Sequence, residues 1–122
     1  MQVDKKKKEE VAYFLKDFHE KMDIWGVLFI GRSKNFETLS LLELRPVQRE
    51  QILRDLNVED YSQGPLEENW HGGKEMWVFG KHVKSHETYI KISIGAPGTN
   101  AICISFHIAE HPMNYPFKNH KK

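Results

Sequence analysis

Four polar residues alternate with apolar ones in two segments near the C-terminal end. Tyr89 and Lys91 lie in the first segment, and Ser105 and His107 lie in the second. Because side chains alternate between the two faces of a strand, each segment predicts one apolar and one polar face. A phenol, an ammonium and an imidazole could together transfer protons and stabilise charge for metal-free phosphodiester cleavage. Antiparallel sheets also commonly expose a polar face to water, so a polar face without any function is an alternative interpretation.

The strand register decides whether these polar side chains meet. A turn over residues 95–100 keeps the apolar residues of both segments on one side of the sheet. The apolar pairs are then Ile94 with Ile102, Ile92 with Ile104, and Ile90 with Phe106. On the polar side, Tyr89 is predicted beside His107 and Lys91 beside Ser105, with Cys103 on the same face.

A preceding segment adds a second imidazole to this polar face. A two-residue loop at residues 85–86 would place His82 opposite Tyr89. The sequence therefore predicts His82, Tyr89 and His107 side by side on three strands. Lys81 falls on the core-facing side, where its ammonium is expected to reach the surface or to pair, and it is a second-rank candidate.

The N-terminal half supplies helices to support the sheet. Over residues 5–22 the apolar positions follow one helical stripe, which predicts a first helix. Leucines near residues 39–44 indicate a short helix, and Pro46 begins another over residues 46–56. The segment 32–35 is predicted as a polar loop, in which Arg32 could contact a polyanion.

The remaining segments predict strands. Residues 24–30 are apolar and rich in β-branched and aromatic side chains, which is typical of a buried, central strand. Residues 57–73 read as a loop with an edge strand near 60–63, and period-two patterning over 74–107 predicts a three-stranded meander. We expect an α+β fold whose antiparallel sheet of four to six strands is packed on one face by two or three helices. One domain would span residues 1–122, with a helix at 1–22, a core at 23–111 and a tail at 112–122.

Length and composition limit the classes of function. A chain of 122 residues predicts a single core, and a net charge of +1 gives no general argument for a polyanionic partner. With a single cysteine there is neither an intrachain disulfide nor a thiolate metal cage. No apolar run reaches the ~18 residues of a membrane span, and the first ten residues are charged, so a cytoplasmic protein without membrane contact is expected.

The segment from His107 to His111 offers a zinc-hydrolase alternative. His107, Glu110 and His111 have the H-x-x-E-H spacing, in which a helix presents two imidazoles to a metal. Here His107 ends a predicted strand and Pro112 follows at once, which disfavours that helix. The main expectation is therefore a site without metal or other cofactor.

A second alternative is a binding module without catalysis. The polar face, or the aromatic tail Tyr115-Pro116-Phe117, could serve only to hold RNA or a protein. The two tail aromatics are equally consistent with an anchor folded back onto the core.

Several motifs between residues 38 and 111 resemble a known family. They include Asp60-Tyr61, Trp77-Val78-Phe79, Tyr89-Ile90-Lys91-Ile92 and Ile104-Ser105-Phe106-His107, in that order and at similar spacing. This part of the chain resembles the motility quorum-sensing regulator (MqsR) family of bacterial toxins. The resemblance implies a RelE-like fold and an mRNA endonuclease of a type II toxin-antitoxin system. It also implies a neighbouring antitoxin that binds DNA, and action with or without the ribosome.

The resemblance assigns roles to individual residues. Tyr89 matches the family's active-site tyrosine and Lys91 the following lysine, whereas His107 replaces a lysine. Gln63 falls near another family lysine, and His82 falls where the family has a basic residue. RNA contacts are therefore expected from Ser105, Gln63, Lys81 and Arg32.

A metal-free mechanism follows for these residues. The RNA 2′-hydroxyl would attack the adjacent phosphorus and leave a cyclic phosphate and a free 5′-hydroxyl. His107 or His82 would act as base or acid, because imidazoles exchange protons near neutral pH. Lys91 would neutralise the developing charge, and Tyr89 would orient the phosphate or stack on a base.

Overall fold

The part of the chain that the structure describes is an α+β structure of three helices and a five-stranded sheet. The computed structural model describes residues 5–67 and 74–118. The helices are α1 (Lys5–Trp25), α2 (Ser33–Leu42) and α3 (Pro46–Arg54), and a short 3-10 turn covers Val58–Asp60. The strands are β1 (Val27–Phe29), β2 (Tyr61–Leu66), β3 (Met76–Val83), β4 (His86–Ser93) and β5 (Ala101–Ile108). The predicted α+β class is confirmed. Residues 1–4, 68–73 and 119–122, which belong to the predicted N-terminal helix, loop and tail, lie outside the described residues.

Helix α1 packs its apolar stripe on one face of the sheet. All five predicted stripe residues are buried: Val11, Phe14, Leu15, Phe18 and Met22. The Phe14 ring stacks on Trp77 of β3 at a centroid distance of 5.0 Å. Burying side chains of this size contributes roughly 1.5–3 kcal/mol each, so this face forms the main core. None of the helices in the described part of the chain has the length and apolar character needed to cross a membrane.

The sheet has the order β1-β5-β4-β3-β2. The predicted meander of β3, β4 and β5 is confirmed. The strand predicted at residues 24–30 is present only at Val27–Phe29, and its predicted central position is wrong. Helix α1 continues through Ile24 and Trp25, whose side chains are 72% and 50% exposed, and only three residues remain for β1. Strand β1 is an edge strand parallel to β5, so the sheet is mixed rather than wholly antiparallel. Strand β2 forms the other edge, as predicted.

Helix α2 covers the part of β5 that β1 leaves open. Asn35, only 3% exposed, donates from its amide nitrogen to the carbonyls of Ile30 (2.9 Å) and Ile104 (3.2 Å). Its amide oxygen accepts from the backbone N–H of Phe106 at 3.0 Å. Two residues further along β5, the backbone N–H of Ile108 donates to the Thr38 hydroxyl at 3.1 Å. The predicted polar loop at 32–35 is therefore wrong, because residues 33–35 form the first turn of this helix.

Replacing Asn35 by alanine should destabilise the protein. The substitution leaves buried backbone groups of Ile104 and Phe106 without partners, which costs about 1–3 kcal/mol for an unsatisfied group. Ser40→Ala, at an exposed position of the same helix, should stay within about 0.5 kcal/mol of the parent. Urea denaturation measures both differences. Equal midpoints for the two variants would show that the Asn35 contacts do not stabilise the fold.

The register between β4 and β5 is as predicted on one side of a bulge and wrong on the other. Tyr89 pairs with His107 and Lys91 with Ser105, as expected. Beyond Lys91 the partner of Ile92 is Cys103 rather than Ile104, so β5 holds one extra residue. A bulge of this kind reverses which side chains face the core. Cys103 is therefore buried in the core cluster instead of lying on the polar face.

Alkylation of Cys103 tests the position of this bulge. The thiol is 1% exposed, and burial raises its pKa to about 12, so little reactive thiolate exists near neutral pH. The native protein should resist iodoacetamide, whereas the urea-unfolded chain should react fully within the same time. Rapid labelling of the native thiol would instead indicate that β5 has no bulge and that Cys103 lies on the polar face.

The β3–β4 hairpin turns one residue earlier than predicted. Lys84 and Ser85 form the loop with positive φ angles of 51° and 72°, as in the tight turns that match strand twist. His82 consequently pairs with Glu87, and Gly80 is the residue opposite Tyr89. The prediction that His82 lies beside Tyr89 is therefore wrong, whereas the predicted neighbours Tyr89 and His107 are confirmed.

Candidate active site

A cleft of about 700 Å³ lies on the polar face of the sheet, opposite α1. Its floor comes from three neighbouring strands and consists of Val78, Tyr89, Lys91, Ser105 and His107. One rim is the start of α2, with Arg32 and Lys34. The other rim is formed by Ser62 and Gln63 of β2. The segment that follows β5, residues 109–114, forms the remaining wall.

Six of the eight predicted site residues line this one cleft. They are Tyr89, Lys91, Ser105, His107, Gln63 and Arg32. His82 is exposed and is not among the lining residues. Lys81 projects from the other sheet face, where its ammonium pairs with Asp60 at 2.9 Å. The expectation that Lys81 pairs is confirmed, and its place among the RNA contacts is not supported.

Tyr89 and His107 form a stacked pair at the floor of the cleft. Their ring centroids are 5.1 Å apart and their planes differ by 14°. The His107 Nδ1 atom lies 3.0 Å from the Ile108 carbonyl oxygen. A carbonyl oxygen can only accept a hydrogen bond, so Nδ1 carries the proton and neutral His107 presents Nε2 as a proton acceptor. The backbone thus selects the tautomer suited to a general base.

Cationic side chains surround this pair. The Lys91 ammonium lies 6.0 Å from the centroid of the Tyr89 ring, and Arg32 donates from Nη1 to the Ser105 hydroxyl at 3.2 Å. Burial raises the pKa of Tyr89, and the nearby Arg32 charge opposes this shift. The phenol therefore keeps its proton near neutral pH and can donate a hydrogen bond to an anion.

One carboxylate, that of Glu110, stands at the rim beside α2. Lys34 contacts it at 2.5 Å. The hydrogen bond and charge of Lys34 lower the pKa of Glu110, and the charges of His107 and His111 act in the same direction. Glu110 is therefore ionised near neutral pH and partly offsets the positive charge of this rim.

The H-x-x-E-H pattern does not form a metal-binding helix. Strand β5, which contains His107, ends at Ile108, and Glu110 and His111 lie in a bend. Within residues 5–67 and 74–118, no three histidine, cysteine or acidic side chains are arranged to hold a metal ion. The zinc-hydrolase alternative therefore has no geometric support in the described residues.

The C-terminal tail is fastened across the sheet by Glu87. The carboxylate of Glu87 accepts from the Tyr115 hydroxyl at 2.6 Å and from the Met113 N–H at 3.3 Å. Gly80 gives the tail its space, since a Cβ there would lie 2.2 Å from the Tyr115 oxygen. Phe117 then stacks on Tyr61 at 5.3 Å. The aromatic tail is thus an anchor, and it holds one wall of the cleft.

The cleft lining also includes Lys34 and Asn114, which the sequence did not single out as site residues, and Glu110 and His111, which it offered only to the zinc-hydrolase alternative. The segment 32–35, predicted as a polar loop that could contact a polyanion, gave a signal for Lys34. The H-x-x-E-H pattern marked Glu110 and His111 for a different chemistry, and nothing marked Asn114, since the position of the tail depends on how Gly80 and Glu87 receive the chain.

Comparisons with known proteins provide no relative: no family model, no curated protein and no solved structure matches this chain. The chemistry of the cleft therefore follows from its own residues. It offers a proton acceptor, a phenol and several cations on a rigid sheet, which suits reactions at a phosphodiester.

Gly80→Ala should destabilise the protein by dislodging the tail. The new methyl group would overlap Tyr115, and such overpacking typically costs about 1–3 kcal/mol. Tyr115→Phe removes the overlapping hydroxyl together with its hydrogen bond to Glu87. The double variant should therefore lose less stability than the sum of the two single losses, as urea denaturation can measure. Strict additivity would indicate that the tail does not pack on Gly80.

Proposed function

We propose that this protein is a metal-independent endoribonuclease, the mRNA-cleaving toxin of a type II toxin-antitoxin system. The observation that carries the proposal is the Tyr89–His107 stack, with Nε2 available and with Lys91 and Arg32 in the same cleft. The two motifs that resemble the MqsR family lie on β4 and β5, where strand pairing places them side by side. A RelE-like fold is part of the proposal.

In the proposed reaction, His107 is the general base. Its Nε2 takes the proton of the RNA 2′-hydroxyl, and the 2′-oxygen forms a bond to the adjacent phosphorus. The bond from phosphorus to the 5′-oxygen breaks, and that oxygen keeps the electron pair until it is protonated. The products are a 2′,3′-cyclic phosphate and a 5′-hydroxyl. Correctly placed proton transfer contributes about 10²- to 10⁴-fold to such a rate.

The cations would stabilise the additional negative charge that develops on the phosphorane oxygens. The Lys91 ammonium lies 6.0 Å from the centroid of the Tyr89 ring, and Arg32 belongs to the rim at the start of α2. Arg32 is oriented by its hydrogen bond to Ser105, which is itself 2% exposed. Donors held in advance in this way need little rearrangement during the reaction. Tyr89 would donate to a non-bridging oxygen or stack on a base, and Gln63 would contact RNA from the opposite rim.

The proposal also names partners. By its resemblance to the family, the protein would be held inactive by a DNA-binding antitoxin and would act on mRNA in the cytoplasm, free or on the ribosome. The competing proposal is a module that binds RNA in the same cleft without cutting it, since the cations of the two rims suit that role as well.

Cleavage of labelled mRNA in EDTA, without ribosomes, tests the proposal. The parent should release fragments with cyclic-phosphate ends, and Tyr89→Ala/His107→Ala should release none. His107→Ala alone should be slower by about 10²-fold or more, as expected for loss of a general base. Tyr89→Phe should also be slower if the hydroxyl contacts the phosphate. His82→Ala is the matched control and should cleave like the parent, since His82 lies outside the cleft.

Three other results would count against parts of the proposal. RNA that binds but stays intact, also after ribosomes are added, would support the binding module. Cleavage that requires a divalent ion would contradict the metal-free mechanism. Equal loss of activity in His82→Ala and His107→Ala would contradict the assignment of the cleft.

A further inference from the structure

The proposed reaction needs a second proton-transfer group, because the departing 5′-oxygen must be protonated. The sequence offered His82 for this role, but that side chain lies outside the cleft. We infer that His111, in the segment after β5, is the general acid that protonates the 5′-oxygen. This inference rests on the proposed function and adds a catalytic residue to it.

The position of His111 is the first support. His111 lines the same cleft as His107, on the wall formed by residues 109–114. The chain is fastened on both sides of it: the Ala109 N–H donates to the Glu87 carbonyl at 2.8 Å, and the Met113 N–H donates to the Glu87 carboxylate at 3.3 Å. The backbone of the bend is therefore held beside the cleft on both sides of His111.

The surroundings of Glu110 give the second support. Its carboxylate is bound by Lys34 at 2.5 Å, which fastens the residue directly before His111 to the α2 rim. The charges of both His107 and His111 contribute to the lowered pKa of Glu110. Both imidazoles therefore lie within electrostatic reach of one carboxylate on the wall of the cleft.

Glu110, Tyr89 and His107 are poorer proton donors for this step. Glu110 is ionised near neutral pH, because Lys34 lowers its pKa. Burial raises the pKa of Tyr89, so its phenol is a weaker acid than usual. His107 is already used as the base. An imidazole is a common general acid in enzymes, so His111 has the chemistry that this step requires.

The full step balances with two imidazoles. Nε2 of His107 gains the proton of the 2′-hydroxyl as the bond from the 2′-oxygen to phosphorus forms. The bond from phosphorus to the 5′-oxygen breaks, and the oxygen takes a proton from a ring nitrogen of protonated His111. His107 ends protonated and His111 neutral, and exchange with water restores both.

A pair of RNA oligonucleotides tests this assignment in the full-length protein. Both contain one bond that the parent cleaves, with either oxygen or sulfur as the 5′ leaving atom. A thiolate leaves without being protonated, so the sulfur substrate does not need a general acid. His111→Ala should cleave the oxygen substrate about 10²- to 10⁴-fold more slowly than the parent and the sulfur substrate at nearly the parent rate. His107→Ala should be slow on both, because both need a base.

The matched control is His82→Ala, which should follow the parent on both substrates. His111→Ala with parent-like rates on the oxygen substrate would overturn the inference and leave the proposed function intact. An equal slowing on the two substrates would also overturn it, because a residue that only binds or supports the wall would give that pattern. A parent that cleaves neither substrate would overturn the proposed function together with the inference. Circular dichroism and melting curves would verify that each variant is folded.

Discussion

The position of the cleft depends on the hydrogen bonds that Asn35 makes to the edge of β5. Strand β1 pairs only as far as Cys103, and without a substitute the following backbone groups would be buried unpaired. Such groups are costly, so some element must satisfy them. Asn35 does so with one amide, which joins the end of β1, helix α2 and two residues of β5. Thr38 extends the same arrangement by one step.

This edge contact explains why the cations lie where they do. Since Asn35 must reach β5, the first turn of α2 is held against the strand that carries Ser105 and His107. Arg32 precedes that turn directly and reaches the Ser105 hydroxyl. The position of the cationic rim of the cleft is thus a consequence of satisfying a sheet edge.

On the other side, the tail closes the cleft by a different kind of contact. Gly80 leaves a gap in the polar face, and Tyr115 fills it while donating to Glu87. The carboxylate of Glu87 receives two donors from the tail, so the chain after β5 crosses the sheet along a defined path. That path places His111 and Asn114 in the wall of the cleft. A loose tail would leave the Tyr89–His107 pair on an open surface.

Alternation along β4 and β5 was sufficient to predict from sequence that Tyr89 lies beside His107 and Lys91 beside Ser105, because side-chain period and core burial are local constraints. The α1 stripe was predictable for the same reason. The bulge at Ile104, the turn at Lys84 and Ser85, and the path of the tail were decided only by tertiary structure. Each depends on a partner distant in the chain: Asn35 satisfies the backbone at the bulge, and Glu87 receives the tail. Local patterns carry no information about such partners, so the pair at the floor of the cleft was predictable and its walls were not.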